Sequence, residues 1–150
     1  MLTVSDSRTA ANDGSGDLLA SRLADAGNTI VDRRWVGDEP HEVEAILKKW
    51  IDGKSVQVIV TTGGTGVSRR DTTIEAIEGL LEKRLDGFGE LFRMLSYEQV
   101  GSAAMMSRAI AGLSRGVLLF ALPGSPAAVE LALEKLLLPE LPHLLFERER

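Results

Sequence analysis

The sequence contains no cysteine and only two histidines among its 150 residues. The absence of cysteine excludes disulfide bonds, thiolate catalysis and cysteine-based metal sites. Because His41 and His143 are far apart in the sequence and have no partners at metal-binding spacing, we do not expect a histidine-rich zinc site. No apolar run approaches the roughly 20 residues of a membrane span, and no signal peptide opens the chain, so we expect a cytoplasmic protein.

The composition is typical of a globular protein, with 44% hydrophobic and 26% charged residues. A chain of this length suits one domain with its own core, so we expect a single domain over residues 1–150. The net charge of −5 argues against nonspecific binding to nucleic acid, and we expect no nucleic-acid or membrane partner.

Segments with strand and helix patterns alternate along the chain. Apolar runs predict strands at residues 2–5, 28–36, 56–61, 109–113 and 116–122. Helical spacing predicts helices at 17–26, from Pro40, at 72–83, at 87–97 and from Ser125. Repeated β-α units with short connections predict a three-layer α/β/α sandwich with a mainly parallel sheet. We expect core packing, rather than ligand contacts, for Ala26, Trp50, Met105 and Met106.

The most informative segment is residues 56–73, with the sequence VQVIVTTGGTGVSRRDTT. It predicts a buried strand that ends in a loop containing Gly63, Gly64 and Gly66. These glycines permit left-handed backbone angles and bring bare N–H groups close to a ligand. No Gly-Lys-Ser/Thr sequence follows, so the loop is not a Walker A motif and the chain is not a P-loop ATPase.

Asp71, at the end of this loop, has two interpretations. Thr72 and Glu75 have the spacing of a capping box, which would leave Asp71 free to hold a magnesium ion beside phosphates. Alternatively, Asp71 is itself the N-cap of the helix. The adjacent Arg69 and Arg70 either clamp phosphate oxygens or lie in solvent.

Two other loops follow predicted strands. In LPGSPAAVE, residues 122–130, Ser125 and Pro126 form a good helix start, which explains them without a ligand. The same geometry also presents free N–H groups to an anion. The third loop, Ser5-Asp6-Ser7-Arg8-Thr9, offers hydroxyls and an arginine to an oxyanion. Three such loops at strand ends in one small domain favour a nucleotide or phosphate site.

Three segments together resemble the MoaB/MogA family of molybdenum-cofactor biosynthesis proteins: TTGGTGVSRRDTTIEA, DGFGELFRMLSYEQVGSAAMMSRAIAG and LPGSPAAVE. The resemblance covers essentially the whole chain, and the middle segment is more similar to the MoaB branch. It implies a MogA/MoaB-like molybdopterin-binding fold. It also implies a molybdopterin adenylyltransferase, which converts MgATP and molybdopterin into adenylylated molybdopterin and pyrophosphate.

The resemblance assigns roles to particular residues. It implies that Asp38 and Asp71 hold Mg²⁺ and carry catalysis, and that residues 63–66 (Gly63, Gly64, Thr65 and Gly66) line the nucleotide phosphates. The other implied binding residues are Ser5, Asp6 and Ser7 on the pterin side, then Glu90, Ser96, Ser107, Arg108, Pro123, Gly124 and Ser125. Arg108 is expected either to contact phosphate or to anchor a subunit interface.

Two other functions stay open. The chain could be a molybdopterin-binding or scaffolding protein of the same pathway that does not adenylylate, although the presence of both aspartates favours the enzyme. A CinA-like function fits less well, because the chain offers only this one domain. The family forms trimers, and its MoaB branch hexamers, so the resemblance implies a homo-oligomer that works with other proteins of the pathway.

Overall fold

In the computed structural model, which describes residues 1–150, six strands form one mixed sheet. The strands are β1 (Leu2–Val4), β2 (Arg34–Val36), β3 (Val58–Thr62), β4 (Lys83–Arg84), β5 (Ile110–Ser114) and β6 (Val117–Leu122). Their order across the sheet is β2-β1-β3-β6-β5-β4. Strands β2, β1, β3 and β6 run parallel, whereas β5 is antiparallel to both of its neighbours.

Helices cover both faces of the sheet. They are α1 (Gly14–Asp25), α2 (Pro40–Gly53), α3 (Thr73–Glu78), α4 (Asp86–Val100), α5 (Pro126–Ala132) and α6 (Leu138–Glu147). A 3₁₀ turn over Gly101–Met106 follows α4, and a π-helical segment over Leu133–Leu137 joins α5 to α6. Helices α1, α4, α5 and α6 pack on one face, and α2 and α3 on the other, which confirms the predicted three-layer architecture. None of these helices is both long and apolar enough to cross a membrane.

The central strand β6 supplies side chains to both halves of the core. Leu118, Phe120 and Leu122 point to the face of α1 and α4, while alternate residues point to the face of α2 and α3. All six β6 residues are buried. Since burying one large apolar side chain contributes about 1.5–3 kcal/mol, this two-sided strand anchors the sheet. Continuous apolar runs of this kind are expected wherever helices cover both faces.

The two largest differences from the predicted boundaries arise because tertiary pairing overrides local propensity. The helix predicted over 72–83 ends at Glu78, and Lys83–Arg84 instead form the edge strand β4 against β5. The second strand is confined to Arg34–Val36, rather than 28–36, because only these three residues pair with β1.

Three expected packing residues are exposed. Ala26 follows the last turn of α1 and faces solvent. Met105 and Met106 lie on the 3₁₀ turn and are 79% and 50% exposed, so packing within the chain was the wrong interpretation for them. Trp50 is buried as predicted, and its indole N–H donates to Asp32 Oδ2 at 3.0 Å.

The parallel strands place four loops at one edge of the sheet. The chain passes from β1 to α1 and from β6 to α5 on one face, but from β2 to α2 and from β3 to α3 on the other. The loops after adjacent strands β1 and β3 therefore diverge to opposite faces. Such a divergence leaves a crevice outside the carboxyl ends of the strands.

Gly63 stands where the loops after β1 and β3 approach most closely, which gives a stability test. Its φ is +93°, and a Cβ atom there would overlap the carbonyl oxygen of Val4. Gly27 has a similar φ of +87° but open space, and Gly14 has open space and no positive φ. In urea unfolding, we expect Gly14→Ala to leave the free energy of unfolding unchanged and Gly27→Ala to lower it by about 1 kcal/mol. Gly63→Ala should lower the free energy of unfolding clearly more. Equal decreases for Gly27→Ala and Gly63→Ala would contradict the close approach of Gly63 to the carbonyl of Val4.

Candidate functional site

A polar cavity of about 360 Å³ opens at this edge of the sheet. The loops after β1, β2, β3 and β6 all contribute to its wall, as expected for a site at the carboxyl ends of parallel strands. Its lining is Thr3, Val4, Ser5, Ser7, Arg8, Asp13, Asp38, Thr62, Gly63, Gly64, Asp71 and Gly124.

The glycine loop after β3 is fixed by close backbone contacts. The N–H of Gly63 donates to the carbonyl of Leu122 at 2.9 Å, which ties the end of β3 to the end of β6. Gly64 has φ +67°, and a Cβ atom there would overlap the hydroxyl of Thr73. The predicted left-handed angles are therefore confirmed for Gly63 and Gly64. Gly66 does not adopt one, but an added Cβ would lie 2.9 Å from Asp71 Oδ2.

The structure brings Asp38 and Asp71 to the same cavity, although they lie on different loops. Asp38 follows β2, and its Oδ1 lies 3.2 Å from the position of a Cβ on Gly64. The Asp38 carboxylate makes only a weak contact within the chain, with the backbone of Asp6, so its oxygens are largely available to a ligand. Asp71 accepts one, from the backbone N–H of Ser68 at 2.8 Å.

Neither capping arrangement predicted for the start of α3 is present, whereas the magnesium role of Asp71 stays a prediction. Thr72 occupies the N-cap position, but its side chain makes no capping hydrogen bond and its hydroxyl oxygen is buried without a partner. Glu75 turns away from the helix end and forms an ion pair with Arg108, so the capping box is absent. Asp71 is not the N-cap either, because its carboxylate closes a turn with Ser68 instead.

The two cavity aspartates have opposite pKa shifts. Burial, and then the nearby carboxylates of Asp6 and Asp71, raise the pKa of Asp38. Burial also acts to raise the pKa of Asp71, but polar contacts with Ser68 and the Gly66 backbone, together with the charge of Arg108, hold it below its ordinary value. A carboxylate whose pKa is raised by neighbouring carboxylates marks a place where a bound cation would be stabilising.

Arg108 braces the back of the glycine loop. Its Nε donates to the carbonyl of Gly66 at 2.7 Å and its Nη2 to the carbonyl of Asp71 at 2.8 Å. Its own backbone N–H donates to the carbonyl of Thr65 at 3.0 Å. With an ion pair to Glu75 as well, the guanidinium is engaged within the chain, and its visible role is to hold the loop that carries Asp71.

Arg70 is also engaged within the chain, which argues against the free phosphate clamp. Its Nε and Nη2 donate to the two oxygens of Asp6 at 3.0 and 2.9 Å, and its Nη1 donates to Glu39 at 3.1 Å. These charge-assisted hydrogen bonds lower the pKa of Asp6. The neighbouring Arg69 is exposed.

The loops after β1 and β6 complete the wall. Ser5 Oγ accepts the backbone N–H groups of Ser7 and Arg8, both at 3.2 Å, which curls the first loop around the cavity mouth. Ser125 caps α5 by accepting the N–H of Ala128 at 3.2 Å, as predicted. The Pro123-Gly124 turn packs on the glycine loop, since a Cβ on Gly124 would lie 3.4 Å from the Cα of Gly63.

Nine of the predicted binding residues are outside the lining of this cavity: Asp6, Thr65, Gly66, Pro123 and Ser125 on its loops, Arg108 behind the glycine loop, and three, Glu90, Ser96 and Ser107, on α4 or after it. Glu90 lines a separate depression between α4 and β5, together with Arg84 and Arg93. Ser96 is half-buried farther along α4. Ser107 adjoins Arg108, and its hydroxyl is buried without a hydrogen-bond partner. Within one chain, none of the three lines the cavity with Asp38 and Asp71, and their binding roles stay predictions.

The sequence analysis missed Asp13, which lines the cavity and is only 2% exposed. Its Oδ2 accepts from the Thr3 hydroxyl at 2.6 Å, the Trp35 indole at 2.9 Å and the Arg33 guanidinium at 3.3 Å. Its Oδ1 accepts the N–H of Gly16 at 2.9 Å, which makes it the N-cap of α1. The Asp-Gly-Ser-Gly sequence was the available signal, because Asp is a preferred N-cap.

A second cavity, of about 290 Å³, opens at the opposite end of the sheet. Its lining is mostly apolar and includes Leu23, Ile30, Val56, Leu141 and Leu145. It contains none of the predicted site residues. No cluster of three or more acidic, histidine or cysteine side chains anywhere in the chain could hold a metal ion, so a metal site here would rest on two carboxylates.

The profile of the family described as "Probable molybdopterin binding domain" matches residues 1–143 of the chain. The chain belongs to the MoaB/MogA family of molybdenum-cofactor biosynthesis proteins. It is 46% identical over 151 residues to the molybdenum cofactor biosynthesis protein B of Bacillus anthracis, covering all of this chain and 89% of that protein. The corresponding protein of Staphylococcus epidermidis is 50% identical, and the match covers 98% of this chain and 86% of that protein.

Solved structures of the MoaB/MogA family agree with the fold. A crystal structure of a molybdenum cofactor biosynthesis protein B has a TM-score of 0.95 at 46% identity, covering 99% of this chain and 93% of that one. The tungsten cofactor synthesizing protein MoaB from Pyrococcus furiosus has a TM-score of 0.85 at 39% identity. The match covers 99% of this chain and 94% of that one. The expectation of a MogA/MoaB-like fold is thus confirmed.

Asp13 should stabilise this MoaB/MogA domain in a pH-dependent way. Burial acts to raise its pKa, but hydrogen bonds from Thr3, Gly16, Trp35 and Arg33 outweigh burial and hold the pKa below its ordinary value. Its contribution is therefore fully present above the unfolded pKa of about 4 and is lost as pH falls through the folded value.

In urea unfolding at pH 7, we expect Asp13→Asn to lose about 2 kcal/mol or more, because the new NH₂ group would face donors only. The difference in the free energy of unfolding between Asp13→Asn and the unaltered protein should become smaller below about pH 4. The control is Asp17→Asn, which removes an exposed partner of the same Arg33. A loss for Asp13→Asn that is the same at pH 7 and pH 3 would contradict this account.

Proposed function

We propose that the domain adenylylates molybdopterin, in the cytoplasm, at the cavity formed by Asp38, Asp71 and the glycine loop. In this reaction an oxygen of the molybdopterin phosphate attacks the α-phosphorus of ATP. A new P–O–P bond forms, the α–β bond breaks, and pyrophosphate leaves. The observation that carries the proposal is the meeting of two carboxylates from separate loops beside a glycine backbone at the carboxyl edge of the sheet.

The two carboxylates fit a magnesium ion. Mg²⁺ is usually held by one or two carboxylates, with substrate phosphates and waters as the other ligands. The Asp38 carboxylate makes only a weak contact, with the Asp6 backbone, and Asp71 stays ionised because its pKa is held low. When bound there, Mg²⁺ would neutralise the phosphate charge that builds up as pyrophosphate leaves.

The cavity wall suits phosphate groups. Side chains are absent at Gly63, Gly64 and Gly124, so a phosphate can approach the backbone closely. Arg8 also lines the cavity, and its guanidinium makes only one hydrogen bond, to the carbonyl of Asn12 at 3.0 Å, which leaves donors for an anion. Nucleotidyl transfer depends mainly on positioning and charge neutralisation, and these groups supply both.

The test is the reaction itself, with purified protein, molybdopterin, Mg²⁺ and α-labelled ATP. We expect labelled adenylyl-molybdopterin and pyrophosphate from the unaltered protein. Asp71→Asn and Asp38→Asn should each lower the rate by about two orders of magnitude or more. The matched control is Asp25→Asn, an exposed carboxylate at the end of α1, which should retain full activity. Tight molybdopterin binding without product would contradict the enzyme and leave a binding or scaffolding protein of the same pathway.

We also propose a homotrimer or homohexamer that uses the exposed apolar side of α4 and the following 3₁₀ turn. This surface comprises Leu91, Met94, Tyr97, Val100, Met105 and Met106, each about half or more exposed. Contiguous apolar patches of this kind are uncommon on monomers. Light scattering should give about three or six times the chain mass of 16.2 kDa. A monomer mass at micromolar concentration would contradict the assembly.

A further inference from the structure

Asp38, a carboxylate available to a metal, is held in place mainly by its backbone. Its side chain makes only a weak contact, with the backbone of Asp6, whereas its own backbone N–H donates to Oδ1 of Asp6 at 3.0 Å. The neighbouring residues form a tight turn, in which the N–H of Glu39 donates to the carbonyl of Gly37 at 2.7 Å. The contact with Asp6 is thus the link between the Asp38 loop and the loop after β1.

Asp6 is itself oriented by a two-pronged contact. Arg70 Nε donates to Oδ2 at 3.0 Å and Nη2 donates to Oδ1 at 2.9 Å. A planar guanidinium that grips both oxygens fixes the direction of the carboxylate as well as its position. Oδ1 of Asp6 accepts two hydrogen bonds and Oδ2 accepts one, so Oδ2 is the oxygen that keeps a free lone pair for the expected contact with the pterin.

The third prong of Arg70 reaches the Asp38 loop directly. Nη1 donates to Glu39 Oε1 at 3.1 Å, one residue after Asp38. Arg70 also immediately precedes Asp71 in the chain. One guanidinium therefore joins the loops after β1, β2 and β3, by contacting Asp6 and the residue after Asp38 from the position before Asp71.

We propose that Asp6 and Arg70 are positioning residues that set the placement of Asp38 relative to Asp71 for a metal–nucleotide complex. The inference rests on the proposed function, since it assigns the means by which that site is assembled. All three partners are about half exposed, so the contacts contribute little to global stability. Their effect should appear in ligand binding, without an equal effect on unfolding.

The test measures the affinity of Mn²⁺ with α,β-methylene-ATP, by calorimetry, on the full chain. Asp6→Ala and Arg70→Ala should each weaken binding about tenfold or more, as is typical for residues that orient metal ligands. The Asp6→Ala/Arg70→Ala double variant should bind no worse than the weaker single variant, because both changes break the same link. Arg70→Lys keeps the positive charge but loses the planar guanidinium that donates to both oxygens of Asp6. It should therefore bind the metal–nucleotide complex as weakly as Arg70→Ala.

Arg115→Ala is the matched control, because Arg115 is an equally exposed arginine paired with Asp52 at the opposite end of the sheet. It should bind as the unaltered protein does, and every variant should keep nearly the same melting temperature.

Three results would overturn the inference. Full affinity in Asp6→Ala would show that Asp38 needs no anchor. A double variant whose loss equals the product of the two single losses would show that Arg70 contacts the nucleotide independently of Asp6. If the unaltered protein does not bind the complex, the proposed function fails and this inference fails with it. If the unaltered protein binds and the variants bind equally well, only the inference fails.

Discussion

The parallel alignment of β2, β1, β3 and β6 is the constraint on which the rest of the structure depends. Parallel strands need helical crossovers, and the helices here lie on both faces, so four loops end at one edge with space between them. The same alignment lets the end of β3 bond to the end of β6, through Gly63 and Leu122. The cavity is therefore a consequence of topology, and its chemistry depends on which residues follow each strand.

Negative charge at this edge is balanced by arginines that reach across the fold. Asp13 is neutralised below the cavity by Arg33, Asp6 at its rim by Arg70, and the back of the Asp71 loop is held by Arg108. The Asp38 carboxylate forms no ion pair, and its pKa is raised by burial and by its acidic neighbours. A site with one unneutralised carboxylate beside a second, ionised one is prepared for a cation.

Local patterns in the sequence predicted the layers, the buried strand β3, the glycine loop and the cap at Ser125, because each depends on residues a few positions apart. They did not predict the edge strand β4. Its charged residues favour a helix locally, and it becomes a strand because it pairs with β5. Nor did they predict the contacts of Arg70 with Asp6 or of Arg108 with Gly66, which join residues 64 and 42 positions apart. Asp13 was missed because its role depends on donors from three other segments.

The central claim is that Asp38 and Asp71 share one metal ion beside the glycine loop. The most direct measurement is a crystal structure with Mn²⁺ and a non-hydrolysable ATP analogue, with the metal located by its anomalous scattering. The account predicts one Mn²⁺ peak within about 2.3 Å of an oxygen of each aspartate, with the phosphates against the backbone of Gly63 and Gly64. A metal and nucleotide bound elsewhere, with both carboxylates left free, would contradict it.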